Sequence, residues 1–528
     1  MRIQIKYIYL SAFIIVAYIL LPVMNADYLY TIQDNNVFIS GHTFMMDVVD
    51  HQGGWGSWIA CYLTQFFYHP WLGSTILIAL WALIYLLTLQ LFNIKDKYSP
   101  LALILPLLLL FNVLDYGYWI YYAKTPGFPF LPTLILLFCL LFALLLQPLL
   151  RRTQHGKCLN ELLPVELCML AGAITLIFIF PPQQINILNN HRPSFLTTLS
   201  DKNFKHEMRM YRALDEFRYD DVIKEMEAYE KEASASRKES EADIDFPTNL
   251  MVIYKNIALM QTGRLDRMFE LNNCGTIPKQ NNGPEIHISQ LGSALIYYQF
   301  GQMNFAFRRA MESAVKYGLS FRNLKMMART ALMNREFDMA EKYLSMLKTS
   351  TFHREWAKEH ERWLMSSTDF LQSIEYQTLA PLMHDDANTL DDDHGLCDRF
   401  LLQHFAELPQ ANTPLLEDVA LCMSLWAKND YAFCVHFYDY AHAHPEGTIP
   451  HLYQEAAILL GTAENSPIEM NDFRFDPLVS DKFNRFVSTY NTLLQQGLSE
   501  KEMGKRMWEP FGSTFWWYYY FYTDFTLY

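Results

Sequence analysis

Apolar residues are distributed unevenly along the chain. Five long apolar runs, Tyr7 to Met24, Trp71 to Phe92, Leu101 to Ile120, Phe130 to Leu150 and Leu162 to Phe180, fall before Pro181, and no comparable run follows. Each is close to the ~20 residues that a helix needs to cross the hydrocarbon core of a bilayer. From Gln183 onward apolar residues recur at three- and four-residue spacing between frequent turns, with little strict alternation. That is the pattern of helices with one buried stripe, and it argues against a sheet.

The second part also contains a repeat. Gly301-Gln-Met-Asn-Phe-Ala306 and Arg335-Glu-Phe-Asp-Met-Ala340 put an alanine at the same offset from a turn, 34 positions apart, which is the period of the tetratricopeptide helix pair. Ala294 and Ala328 precede them by 12 residues, where small side chains let paired helices cross closely. Leu415 to Pro445 fits the same template with Cys422 and Cys434 in the two small positions, and weaker units centre on Arg218 to Val222 and Gly263 to Met268. Cys422 and Cys434 are therefore expected to be neighbours, with a disulfide left open. Leu at Ala306 or Ala340 is expected to overpack a crossing, and Leu at Ser350 to be tolerated. The predicted fold class is all-α: an N-terminal bundle of five transmembrane helices (1–182), then an irregular tetratricopeptide-like α-solenoid (183–528). A nonrepetitive helical domain is the alternative for the second part.

The cations orient this arrangement. Arg2 and Lys6 precede the first run, Lys95 and Lys97 lie between the second and third, and Arg151, Arg152 and Lys157 lie between the fourth and fifth; the alternate loops hold only Lys124. The positive-inside preference then places the N-terminus in the cytoplasm, and an odd number of crossings leaves the C-terminal domain outside it. The expected location is a bacterial inner membrane with a periplasmic helical domain. A cleaved signal peptide formed by Arg2, Lys6 and the apolar run to Leu21 is the rival, but the residues before Asp27 make a poor small-x-small cleavage site. Up to Pro181 acidic and basic residues balance, so the net charge of −14 belongs to the rest of the chain. An acidic external domain is not expected to bind nucleic acid.

Candidate chemistry is sparse. The 8 cysteines show no C-x-x-C spacing, the histidines form no H-E-x-x-H pair, and there is no phosphate-binding glycine loop, so neither a metal nor a cofactor is expected. The acidic run Met383 to Gly395 places Leu390 where a calcium loop needs its first ligand. The loop between the first two runs, residues 25–70, holds more. Trp55, Trp58, Ile59, Tyr62, Leu63, Phe66 and Phe67 fall at helical spacing, which suits a helix at the membrane interface with Trp55, Trp58, Phe66 and Phe67 toward lipid, or one buried among the spans. Asp27, Asp34, Asp47 and Asp50 lie in the same loop, where membrane glycosyltransferases that use lipid-linked donors keep a catalytic carboxylate. The aromatic C-terminus, Phe511 to Tyr522, is expected to cap the last helices or to dock on the bilayer.

The block Gly53-Gly-Trp-Gly-Ser-Trp through Phe66-Phe-Tyr-His-Pro-Trp-Leu-Gly73, the helix Arg335 to Leu344 followed by His353-Arg-Glu-Trp-Ala357, and the aromatic terminus together resemble an uncharacterised bacterial family of multi-pass membrane proteins with a tetratricopeptide-like tail. The resemblance covers most of the chain and implies this architecture, but no activity. The expected function is a noncatalytic, membrane-anchored scaffold that contacts membrane lipid and binds a protein, peptide or envelope component. The rival is a glycosyltransferase-like membrane enzyme using one of the four aspartates; a transporter comes third, because the spans carry no charge at mid-membrane. An enzyme is expected to keep a polar cavity between the spans and the first loop, whereas an anchor packs the loop shut.

Overall fold

The computed structural model describes residues 5–51, 54–114, 126–153, 202–236, 247–270, 292–383, 397–408, 411–445, 449–462, 468–469 and 472–522. The fifth apolar run and most of the acidic run Met383 to Gly395 lie outside them. Among the described residues the regular elements are all helices. The membrane-like part contains α1 (Ile5–Tyr18, extended by a π turn over Ile19–Val23), α2 (Ala26–Asn35), α3 (His42–His51), α4 (Gly54–Thr64), α5 (Pro70–Leu91), α6 (Ile104–Leu114) and α7 (Phe130–Thr153). Next come α8 (Lys202–Asp215), α9 (Tyr219–Ser236), α10 (Asn249–Gln261), α11 (Ser293–Gln299), α12 (Met303–Tyr317), α13 (Phe321–Met333), α14 (Phe337–Lys348) and α15 (Arg354–Met365). The remainder is α16 (Ser367–Leu371), α17 (Ile374–Leu379), α18 (Cys397–Ala406), α19 (Pro414–Trp426), α20 (Asp430–Ala443), α21 (His451–Gly461), α22 (Pro477–Gln495), α23 (Glu500–Phe511) and α24 (Phe515–Phe521). Two compact units interleave along the chain: the first draws on residues 1–208 and 307–370, the second on 209–278, 287–306 and 371–528.

In the first unit three helical segments are long and apolar enough to cross a membrane: Ile5–Val23, Pro70–Leu91 and Asp96–Leu114, the last starting as a 3₁₀ helix that leads into α6. The fourth expected span appears as α7, whose apolar stretch Phe130–Leu145 is shorter. These helices alternate in direction. At one end Tyr85 Oη donates to Lys6 O at 3.0 Å and Gln147 Nε2 to Leu91 O at 3.3 Å. At the other, Tyr18 bonds Thr75 at 2.7 Å, Tyr28 Oη donates to Val113 O at 2.8 Å and Gly127 N–H to Asn36 Oδ1 at 2.8 Å. Lys6, Lys95 and Lys97 belong to the first end, and the loop 25–70, which has no Lys or Arg, belongs to the second. Burial is reversed relative to a protein in water. Ser74, Thr88 and Thr133 are buried, with Trp81 Nε1 donating to Thr133 Oγ1 at 3.1 Å, while Ile8, Ile15, Leu83, Phe138 and Leu145 are exposed. Hydrocarbon solvent favours that arrangement, since it has no partners for a hydroxyl.

The helix pairs share one turn. Phe217, Gly263, Gly301, Arg335 and Lys428 each have a positive φ, from 52 to 73°, and each is followed by an amide bonded five residues back. Arg218 N–H reaches Ala213 O at 2.8 Å, Arg264 reaches Leu259 at 2.9 Å, Gln302 reaches Tyr297 at 2.9 Å, Glu336 reaches Ala331 at 2.8 Å and Asn429 reaches Ser424 at 2.9 Å. This is the Schellman closure of a helix C-terminus, which meets the last free carbonyls and turns the chain into the next helix. Three of the five left-handed residues are not glycine, at a cost of about 1 kcal/mol each.

Register follows from that shared turn. Counted from the left-handed residue, Ala306 and Ala340 occupy one place and Ala294 and Ala328 another; in the α19–α20 pair these places fall to Phe433 and Leu421, one position before Cys434 and Cys422. The two cysteines are buried free thiols, and Cys422 Sγ lies 3.8 Å from Tyr453 Oη. Ala306, Ala328 and Ala340 have no exposed surface, and Ala294 is half-buried. Ser350 departs from expectation: it too is fully buried, so Leu there has no room and the comparison needs an exposed position. Ala340→Leu is expected to cost about 1–3 kcal/mol in a thermal melt of the full chain, and Glu341→Leu, on the exposed side of the same helix, to cost little.

The second unit buries the aromatic terminus. Phe515, Trp516, Trp517 and Tyr518 of α24 are all buried. Trp516 Nε1 donates to Glu455 O at 2.7 Å, Trp517 Nε1 to Gly504 O at 2.9 Å and Tyr518 Oη to Trp426 O at 2.7 Å. Lys428 Nζ donates to Tyr519 O at 2.9 Å and Tyr522 O at 2.6 Å, meeting carbonyls that the end of α24 leaves open. At its other end the Phe515 N–H donates to Glu455 Oε2 at 2.9 Å. Burial pushes the Glu455 carboxyl up from 4.5 to about 7 although that N–H pulls it down. A raised carboxyl favours folding below its unfolded value, and the gain is lost as pH rises between 4.5 and about 7. Hydrogen exchange of α24, corrected for intrinsic rates, is therefore expected to accelerate over that window, and Glu455→Gln, which keeps the acceptor without the charge, to slow it about tenfold at pH 8. An unchanged rate in that variant would remove the proposed cause.

Candidate functional site

A buried polar junction in the first unit joins the loop 25–70 to the α13–α15 helices. It begins with α2. Asp27 lies in the first turn, where the helix dipole favours an anion. Tyr28, Leu29 and Ile32 are buried, and the Tyr28 ring meets Phe204 edge-on at 5.8 Å. Gln33 and Asp34, at the C-terminal end, are buried as well. The Gln33 amide nitrogen lies 2.8 Å from His353 Nε2, and Asp34 Oδ2 lies 3.3 Å from Arg322 Nε.

Aromatic rings enclose this polar contact. His353, just before α15, packs on Phe321 at 4.0 Å and meets Tyr68 edge-on at 5.2 Å. Tyr68 stacks on Phe352 at 5.4 Å with an interplanar angle of 9°, and Phe66 and His69 touch the same Phe352 ring. Burial, followed by the nearby Lys325 charge, pushes the His353 imidazolium down to about 2, so the ring is neutral at physiological pH. A neutral ring offers one N–H and one lone pair. Gln33 meets one of these at Nε2; His353 Nδ1, Gln33 Oε1 and Ser350 Oγ are buried without a hydrogen-bond partner among the described residues. A histidine held this way shapes a contact and does not exchange protons near neutrality.

The four candidate aspartates have different surroundings. Asp34 is buried in the ion pair with Arg322, Asp27 is half-buried on α2, and Asp47 and Asp50 are exposed on α3. The four aromatic interface candidates also separate. Trp55 is exposed; Trp58 is half-buried, 5.6 Å from Phe38; Phe66 is half-buried against Phe352; and Phe67 is fully buried, 5.4 Å from Phe130. Phe67 belongs to the core because its ring fills the space that a side chain at Gly73 would occupy. Sequence reasoning missed Gln33, Arg322, Ser350 and His353. His353 opens the segment His353 to Ala357, and no spacing rule links residues so far apart in the chain.

A model of a family of unknown function, DUF6057, matches residues 2–181 and 119–522. No curated protein and no solved structure matches the chain.

Proposed function

The chain belongs to the DUF6057 family of unknown function, and on that premise we propose that it is a membrane-anchored helical scaffold. Five spans hold it in a bacterial inner membrane with the N-terminus in the cytoplasm. The later helices form tetratricopeptide-like hairpins on the periplasmic side, where they bind a protein, a peptide or an envelope component. The contact of Gln33 and Asp34 with His353 and Arg322 carries this reading. It requires the first loop and α13–α15 to lie on the same side of the bilayer, and the cation-free loop belongs on the outer side. The packing of α2 favours an anchor over a lipid-linked-donor enzyme: the loop's one fully buried candidate carboxylate, Asp34, is engaged by Arg322.

The test is purification of the full chain in mild detergent, with quantitative mass spectrometry of co-purifying proteins, glycans and lipids. A scaffold is expected to retain a partner in stoichiometric amount, and Ala340→Leu to release it. Turnover of a polyprenyl-linked sugar that is abolished by Asp34→Asn would replace this reading with the enzymatic one.

A further inference from the structure

We propose that α4 lies flat in the outer interfacial layer of the bilayer, with Trp55, Ile59 and Tyr62 in contact with lipid; the inference rests on the anchor reading above. These residues stand at i, i+4 and i+7, on one helix face. They are 59, 45 and 40% exposed, while Ser57, Ala60, Cys61 and Thr64 on the other face are buried. A helix in water hides its aromatic side and shows its small polar side, so α4 has the polarity of a helix with an apolar solvent over one face.

Its length and position decide how it lies. Eleven residues extend about 16 Å, roughly half of the ~30 Å hydrocarbon core, so α4 cannot cross. A 3₁₀ turn over Gln65–Tyr68 joins it to α5, whose first residues Trp71 and Leu72 are also exposed. Trp71 stacks on Tyr18 at 6.2 Å, a pair at the second end of the bundle, at the level where aromatic side chains gather between headgroups and acyl chains. The exposed face of α4 thus continues a surface already turned to lipid. Gly54, with φ of 78°, gives the chain the left-handed turn by which it enters the helix.

The charge pattern selects the kind of lipid contact. Residues 25–70 contain no Lys or Arg but include Asp47 and Asp50, so nothing in the loop attracts anionic headgroups. The contact depends on Trp and Tyr at the glycerol level and on apolar burial, and a zwitterionic bilayer suffices for it.

The full chain, reconstituted in phosphatidylcholine nanodiscs, can be photolabelled with two lipids, one carrying a diazirine near the glycerol and one carrying it at the acyl terminus, and labelled peptides mapped by mass spectrometry. The shallow probe is expected to label Gly54–Thr64 to the same extent as the start of α5, within about twofold. The deep probe is expected to label α5 around Leu83 and Leu86 and to leave α4 unlabelled. Adding phosphatidylglycerol or raising the salt is expected to change neither yield. If α5 takes the deep label and α4 takes neither, a protein surface or a second copy covers the Trp55 face and the inference fails while the anchor stands. Deep labelling of α4 would equally overturn a flat orientation. If α5 itself escapes the deep probe, the anchor reading falls, and the inference with it.

Discussion

A topology reporter fused after Gln183 is expected to read outside the cytoplasm, with fusions after Lys97 and Lys157 reading inside. The effect is all-or-none. Lys6, Lys95 and Lys97 share one end of the alternating bundle, and the proposal that this end is cytoplasmic rests on the positive-inside preference. The loop 25–70 and the start of α7 share the other end, and on the proposed topology α7 leads back to the cytoplasmic side. Yet His353 and Arg322 touch Gln33 and Asp34, in the loop at that other end. On the proposed topology the chain crosses once more between Thr153 and Lys202, and Leu162 to Phe180 is the long apolar run of that interval. A cytoplasmic signal after Gln183 would contradict the contact between α2 and α13–α15, and with it both the span order and the scaffold reading.

The features legible in the sequence are those set by local chemistry. The candidate spans Ile5–Val23 and Pro70–Leu91 match the expected runs to within two residues, because a helix suited to hydrocarbon needs an unbroken apolar stretch that single residues report directly. The turns at Gly301 and Arg335 were legible for a similar reason, since a Schellman closure fixes the offset of the next helix. In the α19–α20 pair Cys422 and Cys434 lie one position beyond the places that the four alanines occupy, because a small side chain alone does not fix the offset from the turn at Lys428. The aromatic face of α4 was partly legible: spacing grouped Trp55, Ile59 and Tyr62 with Phe66 and Phe67, but the helix changes to 3₁₀ at Gln65 and turns Phe67 into the core. The junction was not legible. Gln33, Asp34, Arg322 and His353 are ordinary polar residues in their own segments, and only tertiary structure joins them.

Arg322→Leu is expected to weaken the junction by about 3 kcal/mol, since it leaves the Asp34 carboxylate buried without that cation. In hydrogen exchange on the full chain, this appears as roughly hundredfold faster exchange of the most protected amides of α2 and α13. Asp34→Leu combined with Arg322→Leu is expected to recover most of the loss, because the buried charge is then gone. The Gln33–His353 contact adds a pH signature. His353 is held far below its ordinary value of 6.5 in the folded protein, so below that pH the unfolded chain takes up a proton that the folded junction refuses. The contribution of this neutral histidine is complete above pH 6.5 and declines as pH falls toward its folded value near 2. After correction for intrinsic rates, exchange at α13 is expected to accelerate from pH 7 to pH 5, by up to about tenfold per pH unit, and Gln33→Leu with His353→Phe to flatten that slope. A slope unchanged in the double variant would show that another group titrates there, and exchange at α2 indifferent to Arg322→Leu would mean that the loop and the α13–α15 helices are not held together by this contact.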